Sequence, residues 1–233
     1  MKVALIADIH ANLIALEAVM ERLNSCDEVI CAGDVVGYYP YFNEVIELLR
    51  RERVHSIIGN HDYAVLTGDT SNLDAYGKIS ANYTMRGLDE KNKDWLESRP
   101  YQLQTEYFNV YHGSPFDGLD AIFVYIFPTF PFIDKILEEE GKSVVVGHTH
   151  VQFERRYSRA AKGLGSTQNL SLTNPGSVGQ PRDGDSRAAY AIFDTERDEF
   201  SLRRVGYDIE EVYFAVHRAG LPIVQALRLF EGV

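Results

Sequence analysis

Cysteine is scarce in this chain. There are two in 233 residues, Cys26 and Cys31, with four residues between them. That excludes a disulfide framework; Cys31, inside the apolar run EVICAGD, reads as a small buried residue in a reducing compartment. Long apolar runs are also missing. The stretch AIFVYIFPTFPFI, residues 121–133, is too short to cross a bilayer and contains Pro128 and Pro131. The opening MKVALIADIH has neither the length nor the cleavage site of a secretory signal, so a cytoplasmic protein without membrane attachment is expected. Positive charge is in deficit: 23 Lys and Arg stand against 34 Asp and Glu, a net charge of −11. That argues against stable nucleic-acid coating by charge alone. It leaves a phosphate substrate open, because bound cations invert the local field. Internal repeats and low-complexity linkers are absent, and the simplest organisation is one domain over 1–233.

What is present alternates in type. KVALIA, EVICAG and VHSIIG read as short strands. NLIALEAVMERL and YFNEVIELLRRE, between them, carry helical apolar spacing, with Leu13, Leu16, Met20 and Leu23 on one face of the first. Strand–helix–strand order predicts parallel strands with crossovers. Helical pieces are predicted at AYGKISANYTMRGL, NKDWLESR and PFIDKILEEEGK, and strands at EYFNVYHG and SVVVG. From 151 to 205, four short strands separated by Gly, Pro and Asp turns predict an antiparallel meander. Two short helices close the tail.

The informative residues lie just past the strands. VALIA is followed by Asp8 and His10, EVICA by Asp34, VHSII by Asn60, His61 and Asp62, YFNVY by His112, and SVVV by His148 and His150. Five of the seven histidines occupy such positions; His55 and His217 do not. In open α/β sheets the carboxyl ends of strands share an edge where ligands bind, so these side chains are expected to converge. The set offers oxygen and nitrogen donors without thiolate, which suits Mn, Fe, Co, Ni or Zn. It holds more donors than one ion uses; two ions about 3.5–4 Å apart, bridged by a carboxylate, would employ them. For GHTH, alternation along an extended backbone is expected to put His148 and His150 on one side, with Thr149 facing away.

The blocks ADIHAN, GDVVGY, GNHD, YHGSP and VGHTH, in this order, resemble the calcineurin-like metallophosphoesterase superfamily. NPGSVGQPRDG, and YDIEEV with the later AGLP, are similar to its compact bacterial and archaeal (YfcE-like) phosphodiesterase branch. The resemblance implies an α/β fold, a four-layer α-β-β-α sandwich of two mixed β-sheets flanked by helices. It implies Asp8, His10 and His150 on one metal, Asn60, His112 and His148 on a second, and Asp34 bridging them. His61 would be a catalytic residue beside the phosphate rather than a ligand. The cofactor expected is two divalent transition-metal ions, manganese first, with Ni, Co, Fe or Zn as alternatives. The expected reaction is phosphodiester hydrolysis by a metal-bridging hydroxide in line with the leaving oxygen, with His61 assisting the leaving group.

Several readings stay open at this level. Asn12 reaches a phosphate oxygen or caps the following helix. Arg182 clamps a phosphate or is a solvated turn residue. Asn60 is a further candidate for substrate contact, and Asp62 orients a neighbour or simply turns the chain. The aromatic residues 116–132, like Tyr38, Tyr39 and Tyr41, wall a substrate pocket, cover a nucleobase or form a subunit contact in a homo-oligomer. The partner expected is a small phosphate ester or nucleotide. Alternatives to a phosphodiesterase are a phosphomonoesterase or nucleotide phosphatase, or a non-catalytic scaffold of the same fold. A scaffold would be free to lose His61 or a ligand, and none is missing. A dinuclear acyl hydrolase would show an H-x-H-x-D-H run, which is absent.

Overall fold

A computed structural model describes residues 1–116, 118–160 and 167–233. In chain order its first half runs β1 (Lys2–Ile6), α1 (Leu13–Met20), β2 (Glu28–Cys31), α2 (Phe42–Arg51), β3 (His55–Ser56), α3 (Asn60–Thr67), α4 (Ala75–Gly87) and α5 (Glu90–Glu97). Then come β4 (Gln102–Gln104), β5 (Phe108–Tyr111), α6 (Ile133–Glu140), β6 (Ser143–Val145), β7 (Phe153–Ala160) and β8 (Thr167–Asn174). The last elements are β9 (Ala188–Asp194), β10 (Glu199–Val205), α7 (Ile209–Ala219) and α8 (Val224–Leu227).

The strands form two five-stranded mixed sheets, ordered β10-β9-β1-β2-β3 and β4-β5-β6-β8-β7. In the first, β1, β2 and β3 run parallel, with Leu5 opposite Ile30 on one side and Ala191 of antiparallel β9 on the other. In the second, β5, β6 and β8 run parallel, with Val110 opposite Val145 and Val145 opposite Thr173. Period-two alternation divides the apolar residues between faces. Val3, Leu5, Ala7, Ile30, Phe108, Val110, Val145 and Phe193 meet between the sheets. Ala4, Ile6 and Cys31 face outward under α1 and α2, and Val144, Val146, Leu170 and Leu172 face outward under Ile133, Ile136 and Leu137 of α6. Strands buried on both faces read as continuous apolar runs, which is why VALIA and VVV carry no polar residue. The result is the four-layer α-β-β-α sandwich.

Four differences from the sequence reading have physical causes. Residues 151–205 are not one meander: β7–β8 is a hairpin of the second sheet and β9–β10 a hairpin of the first. The turn signals are real, but local pattern does not say which sheet a strand joins. The buried stripe of α1 is Ala15, Leu16 and Val19, with Leu13 and Met20 half-buried at its margins. Helix α3 starts at once after β3, capped by Asp62 accepting from the Gly59 N–H at 3.0 Å and stopped by left-handed Gly68. Its polar first turn hid it, although Gly68 was an available stop signal. The last predicted helix is short, only Val224–Leu227 with one further 3-10 turn.

Both cysteines are free thiols, and Cys31 is buried. Among the described residues no helix is long and apolar enough to cross a membrane. Phe193 packs between the sheets on Phe108 and Phe200, with ring centroids at 5.3 and 4.7 Å. Phe193→Ala is therefore expected to cost about 3–5 kcal/mol, read as a shift of the urea midpoint; a loss below about 1 kcal/mol would mean that this inter-sheet contact is not part of the core.

Candidate metal centre

The carboxyl ends of β1, β2, β5 and β6 and the start of α3 meet at one edge of the sandwich, although they belong to two sheets. Backbone bonds stitch the loops together. The Asp8 N–H donates to Gly33 O at 3.0 Å, the His10 N–H to Asp34 O at 2.9 Å and the Gly147 N–H to His112 O at 2.8 Å. The His61 N–H donates to Asp34 Oδ1 at 2.8 Å, and the His148 N–H to the Asp8 carboxylate at 3.1 Å. Among the described residues, eight non-glycine residues have left-handed backbone, and six are here: Asp8, His10, Ala11, Asp34, His148 and His150. Such conformations cost on the order of 1–3 kcal/mol each and persist only where the surroundings over-determine them.

This corrects the reading of GHTH. β6 ends at Val145, and His148 (φ 67°) and His150 (φ 58°) are left-handed rather than extended. They separate through a turn, not by strand alternation. Thr149 is buried, its hydroxyl accepting from Asn174 Nδ2 at 3.0 Å.

Ligand atoms of the side chains gather in three overlapping groups, each within 4.8 Å: Asp8, His10 and His150; His10, Asp34 and His61; Asp34, His112 and His148. Asp34 belongs to two of them, with Oδ2 at 3.6 Å from His10 Nε2 and 3.4 Å from His112 Nε2. Asn60 Oδ1 lies 3.0 Å from His112 Nε2. All these residues are buried. His55 and His217 are exposed, outside the cluster.

Two ring tautomers follow from hydrogen bonding. His112 Nδ1 lies 2.8 Å from Ala32 O, and His150 Nδ1 lies 2.6 Å from Gln180 O. A carbonyl only accepts, so each Nδ1 carries a proton, and in its neutral form each ring turns an Nε2 lone pair inward. Each Nε2 lies beside a carboxylate oxygen: Asp34 Oδ2 for His112, and Asp8 Oδ1 at 3.5 Å for His150. His150 Nε2 also faces His10 Nε2 at 3.0 Å, where one proton at most fits. His10 Nδ1, His61 Nδ1 and His148 Nε2 are buried without a hydrogen-bond partner. Buried polar atoms are rarely left so. A cation is what this donor set lacks, and the residues fit divalent metal.

The electrostatics agree. Burial holds the imidazoles of His10, His61 and His150 below the ordinary range and takes His148, with help from His112, to about 3. They are neutral, the form that ligates metals. Burial raises Asp8 to about 7, and the Asp34 charge adds to it. For Asp34 burial pushes upward, yet His112, His61 and His10 outweigh it and hold the carboxyl well below its usual range. For His112 burial pulls downward, but the Asp34 carboxylate wins and raises the ring to about 9. The raised His112 ring and the lowered Asp34 carboxyl form an ion pair, with Nε2 3.4 Å from Oδ2.

Other expected residues fall differently. Asn12 is a helix cap: Oδ1 accepts from the Ala15 N–H at 3.2 Å and Nδ2 donates to Gly179 O at 2.8 Å. Of the two readings of Asn12, the structure shows the cap. Asp62 positions the Asp34 loop, accepting from the N–H groups of Val35 at 3.2 Å and Val36 at 3.0 Å. Arg182 is half-buried, its guanidinium carbon 5.7 Å from the Tyr38 ring centre. Tyr38 in turn packs on His10 and His61, at 4.8 and 4.7 Å. Within the aromatic segment, Tyr125 stacks on His148 at 3.8 Å. Gln180 was quoted in SVGQPRDG but assigned nothing; a neutral amide in a Gly/Pro loop carries no signal of its role. A surface hollow of about 900 Å³, bordered by Glu17, Asp27, Glu28, Arg51 and His55, is lined by none of the cluster residues.

Residues 1–198 match the family model of the calcineurin-like phosphoesterase superfamily domain. The chain belongs to this superfamily. It is 34% identical over 242 residues to the uncharacterized protein MJ0912 of Methanocaldococcus jannaschii, covering 99% of this chain and 98% of that protein. A crystal structure of a metallophosphoesterase from Sphaerobacter thermophilus is similar over 100% of this chain and 99% of the other, with TM-score 0.84 and 32% identity. The fold also matches a hypothetical protein, PH1004, from Pyrococcus horikoshii OT3, with TM-score 0.84 and 21% identity over 100% and 98% of the two chains. In this calcineurin-like chain, Asp34→Asn removes the charge shared by two ligand groups. Metal analysis is expected to show affinity falling by more than the roughly 10–100-fold typical of a lost partner behind a ligand; unchanged tight binding would remove Asp34 from the centre.

Proposed function

We propose that this chain is a dinuclear metal-dependent phosphodiesterase acting on a small phosphate ester. The observation that carries the reading is the buried meeting of lone pairs around Asp34, with ligand groups on both sides of one carboxylate. Asp8, His10 and His150 would hold one divalent ion, Asn60, His112 and His148 the other, and Asp34 both. When bound, two such ions neutralise phosphoryl oxygens and acidify a water, the chemistry needed to cleave an anionic ester.

The remaining chemistry falls to this chain's own side chains. His61 is held by its backbone on Asp34, and its ring lies against His10, at 4.7 Å, and Tyr38. Its Nδ1, buried and without a protein partner, is the nitrogen we assign to the leaving oxygen. Gly37 makes room for it: a Cβ there would lie 3.0 Å from this nitrogen and 2.5 Å from His10 Nδ1. Arg182 supplies a fixed positive charge across Tyr38.

A diester rather than a monoester is favoured by the apolar surroundings. Tyr125, 47% exposed, lies over His148, with Phe127 parallel to it at 6.0 Å. A cavity of about 410 Å³ beside His112 is lined in part by Tyr101, Tyr111, Ser114 and Phe116. Apolar surface there would hold an organic substituent on phosphorus, of which a diester has two to place and a monoester one.

Protein stripped with chelator and reloaded separately with Mn, Ni, Co or Zn is expected to hydrolyse bis-p-nitrophenyl phosphate in preference to the mono ester. Preference for the mono ester would replace the diester reading, and inactivity with every ion would remove the enzyme. His61→Ala is expected to lose roughly 10²–10⁴-fold in turnover with metal content retained; unchanged turnover would strip His61 of its role. Tyr125→Ala is expected to raise the KM for the bis ester several-fold while leaving metal content unchanged, as loss of about one stacking contact predicts. An unaltered KM would detach the aromatic wall from the substrate.

A further inference from the structure

The metal-side residues lie within 1–198, the part matching the family domain. One residue from the tail beyond it nevertheless reaches the site through an unbroken chain of buried contacts. Gln225, in α8, is 2% exposed. Its backbone carbonyl accepts from the Tyr39 hydroxyl at 2.9 Å, and its side-chain Oε1 accepts from Gln180 Nε2 at 2.8 Å. Gln180 Nε2 gives its other hydrogen to the Tyr39 hydroxyl oxygen at 3.1 Å. The Tyr39 proton goes to Gln225, so that hydroxyl can only accept from Gln180. Both Nε2 hydrogens are thus consumed, and the orientation of the Gln180 carboxamide is determined.

That orientation turns Gln180 Oε1 toward Arg182. The oxygen accepts from Arg182 Nε at 3.2 Å and from Nη2 at 2.6 Å. Were the amide reversed, its NH₂ would face the guanidinium, donor against donor, and its oxygen would face Gln225 Oε1, acceptor against acceptor. Gln180 itself is anchored on the other side: its N–H donates to Ser177 Oγ at 2.7 Å, and its carbonyl accepts from His150 Nδ1 at 2.6 Å. One buried glutamine therefore joins a candidate ligand imidazole, the Arg182 guanidinium and the C-terminal helix α8.

We infer that Gln225 is a positioning residue: acting through Gln180, it holds Arg182 in the one orientation that presents its remaining donors to an anionic phosphoryl group at the metal centre. The inference rests on the phosphoesterase reading for the identity of the anion. Gln225 touches neither substrate nor ion. Gln225→Met keeps length and burial but removes the acceptor, freeing Gln180 to rotate and release the guanidinium.

The test is a double-mutant cycle of Gln225→Met with Arg182→Ala, read in two ways on manganese-loaded protein. Calorimetry gives the affinity for inorganic phosphate, and steady-state kinetics give KM and kcat on bis-p-nitrophenyl phosphate. Gln225→Met alone is expected to weaken phosphate binding roughly ten-fold, as loss of an oriented charge-assisted contact predicts, with manganese content unchanged. In the Arg182→Ala background the same substitution is expected to add less than about two-fold, because its route of action is already gone. Penalties that multiply independently, or no penalty for Gln225→Met, would overturn the inference and leave Gln225 as tail packing. Should Gln225→Met fail to fold, Gln180→Met replaces it in the cycle with the same expected outcome, since it removes the carboxamide link and keeps the carbonyl bound to His150. The binding cycle decides the positioning role even if no ester is hydrolysed. Ester turnover decides the phosphoesterase reading even if the cycle is additive.

Discussion

Two backbone carbonyls, Ala32 O and Gln180 O, fix the chemistry of this protein. Each takes the Nδ1 proton of a buried histidine, His112 or His150, and so turns an Nε2 lone pair into a space already occupied by carboxylate oxygens and other imidazoles. Left to itself that arrangement is costly: three imidazole nitrogens have no partner, and His112 and Asp34 form a buried ion pair. With a cation the same lone pairs become ligands. The site is thus organised in advance for positive charge, as the chain's net charge of −11 also favours.

Such a site needs a scaffold that can absorb its strain. Six left-handed residues and a dense set of buried polar atoms stand at the junction of two sheets. The inter-sheet core beneath, built on Leu5, Ile30, Phe108, Val145 and Phe193, holds the strand ends in register. Backbone bonds between loops of different strands then leave each ligand little freedom. The tail contributes as well, since Tyr39, Gln180 and Gln225 close a hydrogen-bonded ring behind the ligand shell. Rigid support behind a ligand set is what keeps donor geometry from relaxing when the ion leaves.

Much of this was legible from residue order. The apolar runs of β1, β2, β5 and β6 are unmistakable, and each ends in a donor side chain, so convergence of Asp8, His10, Asp34, His112, His148 and His150 followed from strand polarity. The limits were specific. Alternation misjudged GHTH because its histidines lie beyond the strand in left-handed turns, a conformation that no local pattern announces. Residues 151–205 gave the right strands and the wrong partnership, since sheet membership is settled by long-range packing. Asn12 was ambiguous because one side chain suits both a cap and a phosphate contact, and the cap becomes visible only once Ala15 and Gly179 are placed. Gln180 and Gln225 were invisible because the ring they close with Tyr39 joins residues 45, 141 and 186 apart in sequence.

The central claim is that Asp34 sits between two cation sites. Anomalous diffraction from crystals grown in excess manganese tests it most directly. The account predicts two peaks about 3.5–4 Å apart, one among Asp8, His10 and His150 and the other among Asn60, His112 and His148, with the Asp34 carboxylate contacting both. A single peak, or none with His112 and His150 still donating to their backbone carbonyls, would contradict it.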